Sequence, residues 1–203
     1  MLHLQSFRKS YGGHTLLSVP DCRLADGLYW LQAPNGAGKS TLLRCIAGII
    51  PFEGSISAAG FGQRRQREAY LRAVSWAEAE PQYPAFLTGS DLISFYCKTR
   101  GGSPAEAQSL LARFDAGSFQ QRPTGNWSSG MLKKLSLVLA FLGTPRWILL
   151  DEPLITLDVA AQAACQGLIA ERRAQGTSFL ITSHQPLGLS HHSVRITGQS
   201  IEL

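Results

Sequence analysis

Short runs of alternating apolar and polar residues dominate the first third of the chain and predict β-strands. The runs are LHLQSFRKS (2–10), LLSVPDCRL (16–24), LYWLQ (28–32), GSISA (54–58) and RAVSW (72–76). Between the third and fourth runs, TLLRCIAGII has helical spacing and stops before Pro51. The amino-terminal third is therefore predicted to contain five strands and one helix.

From about residue 88 to residue 143 the apolar spacing becomes helical, and glycine-rich or polar stretches separate the segments. The segments are SDLISFYCK, SPAEAQSLLARF and SSGMLKKLSLVLAFLG. A continuous apolar run, WILL, then leads into Asp151, as expected for a parallel strand buried on both faces. A helix over about 159–175, a strand at SFLITS and a hairpin that turns at Gly198 complete the pattern. Strands that alternate with helices predict an α/β fold with a parallel sheet and an inserted helical segment.

Composition and charge narrow the class of protein. With 203 residues, 44% hydrophobic and 16% charged, the chain is large enough for one domain with a substantial core. Neither a membrane-spanning stretch nor a signal-peptide pattern is found, which favours a soluble cytoplasmic protein. The four cysteines are far apart, which favours free thiols over disulfides or a zinc site.

The net charge of +5 includes a local basic run, formed by Arg64, Arg65, Arg67 and Arg72. Such a run could face nucleic acid or an anionic membrane surface. A solvated surface segment is the simpler interpretation.

The segment LQAPNGAGKST matches the phosphate-binding template G-x-x-x-x-G-K-[S/T] except at its first position, where Ala33 stands in place of glycine. Gly36, Ala37 and Gly38 let the backbone curve around a phosphate at the start of a helix. Lys39 supplies a positive charge for the β- and γ-phosphates, and Ser40 a hydroxyl for Mg²⁺. If Ala33 has a negative φ, its methyl group costs little; if φ is positive, it costs roughly 1 kcal/mol or more.

Two later segments carry further candidate chemistry. In WILLDEP, Asp151 could hold Mg²⁺, and Glu152 could polarise the attacking water. In NWSSGMLKKL, a serine and a glycine open a helix, which suits an anion but is equally explained by an ordinary N-cap.

The order of these segments, followed by TLD and TSH, resembles the ATP-binding-cassette (ABC) ATPases over nearly the whole chain. The resemblance implies a P-loop α/β fold with a mostly parallel central sheet and an N-terminal antiparallel β part. Residues 1–86 and 144–203 would form the core and β part of one domain, and residues 87–143 an inserted helical subdomain that ends in the signature helix. The family's signature, LSGGQ, corresponds to residues 127–131, which read WSSGM.

The resemblance also implies the site residues and partners. Catalytic roles fall to Lys39, Glu152 and His184, Mg²⁺ binding to Ser40 and Asp151, and adenine stacking to Tyr11. ATP would contact Asn35, Gly36, Ala37, Gly38, Lys39, Ser40 and Thr41 of one cassette and Ser128, Ser129 and Gly130 of a second. Asp158 would lie in the loop that crosses to the second cassette. The implied partners are that second, head-to-tail cassette and a separate transmembrane permease on the inner face of the cell membrane.

Three departures from the family pattern are visible: Ala33, Ser129 and the loop AEAEPQYP. Ser129 replaces a signature glycine in a form similar to that of type-2 ABC exporters, whose small cassettes the chain resembles in size. In AEAEPQYP the family's glutamine is out of register, since Ala79 takes its position and Glu78, Glu80 or Gln82 could substitute. In the family this loop couples hydrolysis to the membrane partner, so coupling is the function that its departure affects most.

Three functions remain open at this point: the ATPase subunit of a transporter, a soluble ABC ATPase that acts on nucleic acid or ribosomes, and a regulatory nucleotide-binding subunit with little hydrolysis. The basic run slightly favours the second function. Ala33 and the missing glutamine are the arguments for the third. The transported substrate and its direction cannot be deduced, because in this family the membrane partner contacts the cargo.

Overall fold

The computed structural model of the chain describes residues 1–184, 186 and 188–203. Its strands are β1 (Leu2–Tyr11), β2 (His14–Leu24), β3 (Leu28–Gln32), β4 (Glu53–Ala58), β5 (Phe61–Gly62), β6 (Val74–Ala77), β7 (Trp147–Asp151), β8 (Ser178–Thr182), β9 (His192–Thr197) and β10 (Ser200–Glu202). Its α-helices are α1 (Lys39–Ile46), α2 (Arg67–Ala73), α3 (Gly89–Arg100), α4 (Pro104–Arg113), α5 (Ser129–Phe141) and α6 (Val159–Ala174). A 3₁₀ turn at Thr124–Asn126 precedes α5.

The strands form two sheets. One is antiparallel and has the order β2-β1-β4-β5. The other has the order β10-β9-β3-β8-β7-β6, and its strands pair in parallel except for β10, which returns antiparallel to β9. This arrangement confirms the predicted α/β fold with a mostly parallel central sheet and an N-terminal antiparallel part.

The parallel sheet separates two apolar cores, and β7 shows why its sequence is continuously apolar. Trp147 and Leu149 pack into the core that contains α1 and the antiparallel sheet. Ile148 and Leu150 point to the opposite core, which contains α3 to α6. Because both faces of the strand are covered, every residue of β7 is buried.

The strand order places the candidate chemistry at one edge of the sheet. The neighbouring strands β3, β8 and β7 are parallel, so their carboxyl ends lie at the same edge of the sheet. The phosphate-binding loop follows β3, Asp151 ends β7, and His184 follows β8. The carboxyl edge of a parallel sheet is where α/β proteins bind ligands.

Local capping explains where the long helices begin. Thr88 and Asp91 form a reciprocal capping box at the start of α3. Ser103 caps α4, Ser128 caps α5 and Asp158 caps α6, each through a side-chain oxygen that accepts a backbone N–H.

One predicted strand was partly wrong. RAVSW was expected to be extended throughout, but Arg72 and Ala73 end α2, and β6 begins only at Val74. Helix α2 has seven residues and buries only Tyr70 and Ala73. It is therefore too short for an amphipathic period to be recognised in the sequence. Tyr70 nevertheless fixes the helix, because its hydroxyl donates to Ile46 O at 2.6 Å.

Two other sequence expectations can be compared with the fold. All four cysteines are free, and Cys22, Cys45 and Cys165 are buried. Within the described residues, no helix has the length and apolar character that a membrane crossing requires.

Candidate functional site

The loop between β3 and α1 is shaped by two glycines in left-handed backbone conformations. Gly36 has φ 78° and Gly38 has φ 97°. A Cβ on Gly38 would also lie 3.2 Å from Leu16 Cδ2, a tight contact, but the left-handed conformation is the main reason for glycine here. Gly38 caps α1 without a side-chain hydrogen bond, which leaves the first N–H groups of the helix available to an anion.

Ala33 does not distort this loop. The non-glycine residues at positive φ in the described chain are Ser6, Ala59, Asp115, Glu152 and Thr156, so Ala33 is outside the left-handed region. Its methyl group packs against the core beneath the loop. Of the two possibilities considered from the sequence, the structure therefore supports the one in which the methyl group of Ala33 costs little.

The ammonium group of Lys39 lies across the loop. Its Nζ donates to Ala33 O at 2.8 Å and to Pro34 O at 3.2 Å. Both acceptors belong to the loop itself, and Pro34 is exposed. A phosphate oxygen could replace the Pro34 carbonyl without leaving that carbonyl in an apolar interior.

Asp151 ends β7 with one carboxylate oxygen satisfied and one free. Its Oδ1 accepts from Thr182 Oγ1 at 2.6 Å. Its Oδ2 is buried and has no hydrogen-bond partner among the described residues. An ionised oxygen in this position is unfavourable unless a cation or donor completes it. With the hydroxyl of Ser40 in the same cavity, the oxygen donors suit Mg²⁺.

Glu152 is held in a strained backbone conformation beside Asp151. Its φ is 45°, and its N–H donates to Thr182 O at 3.2 Å and to Thr182 Oγ1 at 3.0 Å. These bonds to β8 fix the residue in a region that non-glycine residues rarely adopt. Such strain is a common feature of functional sites.

The two carboxylate oxygens of Glu152 have different surroundings. Oε2 accepts from the backbone N–H of His184 at 3.1 Å. Oε1 is buried, makes no hydrogen bond within the described part of the chain, and lies 3.6 Å from His184 Nε2. The carboxylate is thus oriented by one backbone hydrogen bond, and its Oε1 faces the imidazole of His184.

These groups line one open cavity of about 350 Å³. Its walls are Asn35, Gly36, Gly38, Lys39, Ser40, Thr41, Asp151, Glu152 and His184. The structure therefore brings together most of the residues predicted from the phosphate loop, WILLDEP and TSH. It does not place Tyr11 or the signature residues in the lining of this cavity.

The signature residues instead present an exposed helix end elsewhere on the molecule. Ser128 and Ser129 are exposed, and Ser128 Oγ accepts from Met131 N at 3.2 Å. A Cβ on Gly130 would lie 3.0 Å from Thr156 O, so this glycine permits close packing against the loop after β7. Asp158, in that loop, caps α6 and forms an ion pair with Lys134.

Tyr11, the predicted base-stacking residue, is about half exposed at the end of β1. The ammonium of Lys9 lies 4.3 Å from its ring centroid, and the same ammonium donates to Pro51 O at 2.9 Å. A cation–π contact on one face of the ring fixes the ring's position.

The family model described as ABC transporter matches residues 26–155, which is more than half of the chain. The chain is an ATP-binding subunit of the ABC transporter family. It is accordingly an ATPase coupled to transport, and the predicted resemblance is confirmed.

Relatives support this assignment over most of their own length. The chain is 30% identical over 186 residues to the lantibiotic transport ATP-binding protein SrtF of Streptococcus pyogenes, covering 91% of this chain and 80% of that protein. It is 31% identical over 169 residues to the cytochrome c biogenesis ATP-binding export protein CcmA of Salmonella typhi, covering 82% and 81% respectively. A solved structure described as the ATP binding subunit of an ABC transporter superposes with a TM-score of 0.88 at 25% identity, covering 100% of this cassette and 88% of that chain.

The loop after β6 is the part of this ABC cassette that the family pattern described least well. None of Glu78, Glu80 and Gln82 lines the cavity, and the Glu78 carboxylate accepts hydrogen bonds from Arg44. The loop's backbone is held by Lys133 of α5, which sequence reasoning did not select as functional. The sequence carried no signal for it, because Lys133 and Lys134 both precede a stretch of α5 that is buried almost throughout, and only the structure shows that Lys133 is fully buried.

Most of the basic run has a local structural role in the ABC cassette. Arg64 donates to Phe52 O, Arg67 donates to Gly48 O, and Arg72 pairs with Glu68 one helical turn away. Arg64 and Arg67 therefore hold the turns beside α2, and Arg72 pairs within the helix.

Proposed function

We propose that the cassette hydrolyses ATP to power an exporter, working as one of two head-to-tail subunits bound to a separate membrane permease. The observation that carries this proposal is Glu152, whose backbone is strained and whose buried Oε1 makes no hydrogen bond among the described groups and lies 3.6 Å from His184 Nε2. An oriented carboxylate of this kind can accept a proton from an attacking water molecule.

The remaining roles are assigned by position in the cavity. Lys39 exchanges its loop carbonyls for the β- and γ-phosphates, and the backbone of residues 35–41 surrounds them. Ser40 and Asp151 would hold Mg²⁺, which when bound offsets the negative charge of the phosphates. His184 orients Glu152 through its backbone N–H and presents its ring near Oε1.

The proposed dimer is supported by the separation of the two groups of residues predicted to contact ATP. The exposed helix end at Ser128 to Gly130 is not part of the cavity around Lys39. Free N–H groups at a helix end favour an anion, so a second cassette could supply this end to complete the site. Tyr11 would stack on the adenine from the cassette that binds the phosphates.

The permease and the membrane-peripheral location are inferred from the relatives, because SrtF is named as a transport protein and CcmA as an export protein. The nucleic-acid alternative loses its main support, since most of the basic run is used in local contacts. The weakly hydrolysing alternative also loses one argument, because Ala33 leaves the loop undistorted.

Steady-state hydrolysis by the full chain tests the proposal. We expect Glu152→Gln to lower turnover of Mg-ATP by about 100-fold or more, because general-base catalysis contributes at least that factor. ATP binding should be retained, and ATP should trap the variant as a dimer in sedimentation velocity. Glu202→Gln, which changes an exposed carboxylate of β10, is the matched control and should turn over normally.

Equal turnover by wild type and Glu152→Gln would reject the catalytic assignment. A variant that remains monomeric with saturating ATP would reject the head-to-tail dimer. Purification together with ribosomes or RNA, rather than with a membrane protein, would support the nucleic-acid alternative.

A further inference from the structure

Lys133 is a fully buried lysine that no step of the proposed hydrolysis uses. It lies in α5, two residues beyond the signature segment, and its side chain has no solvent exposure. Its Nζ donates to Glu78 O at 2.7 Å, Ala79 O at 3.2 Å and Asp151 O at 3.0 Å. All three ammonium donors are therefore used by backbone carbonyls.

Burying this ammonium group costs free energy, which argues that Lys133 does more than fill space in the core. Burial is the main cause that lowers the pKa of Lys133 to about 8, although Asp151, Glu152 and Glu78 each oppose the shift. An apolar side chain would continue the buried stripe of α5 without desolvating a charge. The lysine supplies something an apolar residue cannot, namely three directed hydrogen bonds.

The three acceptors join separate parts of the site. Glu78 and Ala79 belong to the loop after β6, and the Asp151 carbonyl immediately precedes Glu152. The donor is carried by the helix whose exposed end is proposed to contact the partner's ATP. Lys133 therefore lies between the signature end of α5 and the catalytic carboxylates of the same chain.

Contacts on the exposed side of α5 reinforce this connection. Gly130 packs closely on Thr156 O, and Lys134 pairs with Asp158 at 2.8 Å. The first turns of α5 therefore contact the segment at the end of β7 and after it in two places. Gly130 and Lys134 make the outer contacts, and Lys133 makes the buried one. A displacement of either segment is transmitted to the other, because close-packed interiors deform little.

We propose that Lys133 is a positioning residue that makes hydrolysis at the two sites of the dimer cooperative. Through it, ATP held by the signature end of α5 and ATP held by the chain's own phosphate loop act on the same Asp151–Glu152 segment. The inference rests on the head-to-tail dimer of the proposed function. It predicts that each bound nucleotide favours the catalytic arrangement at both sites.

The test compares ATP dependence of turnover in the full-length wild type, Lys133→Met and Lys133→Arg. Methionine has a similar length but no donor, whereas the arginine fork can restore several of the bonds. We expect a Hill coefficient approaching about 2 for the wild type, the limit for two sites, about 1 for Lys133→Met, and recovery toward the wild-type value in Lys133→Arg. ATP affinity of the dilute monomer, measured with a fluorescent analogue, should change less than about twofold, because Lys133 does not line the cavity.

Controls separate this role from folding and from the proposed function. Lys98→Met, at an exposed position of α3, should leave the coefficient unchanged. If Lys133→Met does not fold, Lys133→Gln keeps two donors and should give an intermediate coefficient. An unchanged coefficient in folded Lys133→Met or Lys133→Gln overturns the inference, as does a hyperbolic wild type. Absence of wild-type turnover would instead reject the ATPase proposal on which the inference depends.

Discussion

Two lysines of this cassette bind backbone carbonyls, and the difference between their surroundings explains their different roles. Lys39 is half-buried and bonded to two carbonyls of an open loop, so a phosphate can displace those carbonyls at little cost. Lys133 is sealed between α5, β7 and the loop after β6, where nothing can replace its three acceptors. The proposed roles therefore require an exchangeable interaction at the phosphate loop and a fixed one in the first turns of α5.

The largest expected effect is on folding stability. Lys133→Ala leaves one buried and two part-buried carbonyls without their donor and opens a cavity, which should cost about 3 kcal/mol or more. Lys39→Ala should cost less than about 0.5 kcal/mol, because water can reach its partners. Urea unfolding of the two variants without nucleotide measures both values, and similar losses would remove the distinction between the two regions.

A smaller effect, in the opposite region, is expected for nucleotide affinity. Lys39→Met should weaken ATP binding about 10- to 100-fold, since a charge-assisted hydrogen bond contributes roughly 1.5–3 kcal/mol. Isothermal titration with Glu152→Gln as the hydrolysis-deficient background gives the dissociation constants. The control is adenosine, which has no phosphate and should bind both proteins equally. Unchanged ATP affinity would show that Lys39 keeps its loop carbonyls when nucleotide binds.

The smallest effect concerns Ala33. Restoring the template residue with Ala33→Gly should reduce stability by roughly 0.5–1 kcal/mol, because the backbone is not left-handed there and glycine adds freedom to the unfolded chain. Turnover and ATP affinity should stay within about twofold of the wild type. A large gain in turnover would instead show that alanine impairs the phosphate-binding loop. The loop would then differ further from the buried contacts of Lys133.

The sequence was most informative where a local pattern and its place in the chain agreed. LYWLQ, the glycine loop and TLLRCIAGII form a strand, a turn and a helix, and WILLDEP ends a strand buried on both faces. Because parallel strands end on the same edge of a sheet, the residues of the cavity could be predicted to meet. The resemblance to the family supplied their roles.

Other features depend on three-dimensional neighbours that no local pattern specifies. Helix α2 is recognisable only through the buried Tyr70, whose partner Ile46 O is 24 residues away. Lys133 and Lys134 are adjacent and chemically identical in the sequence, yet one is sealed in the core and the other pairs with Asp158. The unusual backbone of Glu152 likewise follows from its bonds to Thr182 and could not be deduced from the letters DEP.

The left-handed conformation of Glu152 has a consequence for how the chain can drift under mutation. Glycine relieves the backbone strain that glutamate bears there, and asparagine reduces it. Either replacement can raise the melting temperature while it removes the carboxylate. A lineage freed from the demand for hydrolysis would therefore gain thermal robustness at this position, so selection for activity is what retains glutamate against its local conformational preference.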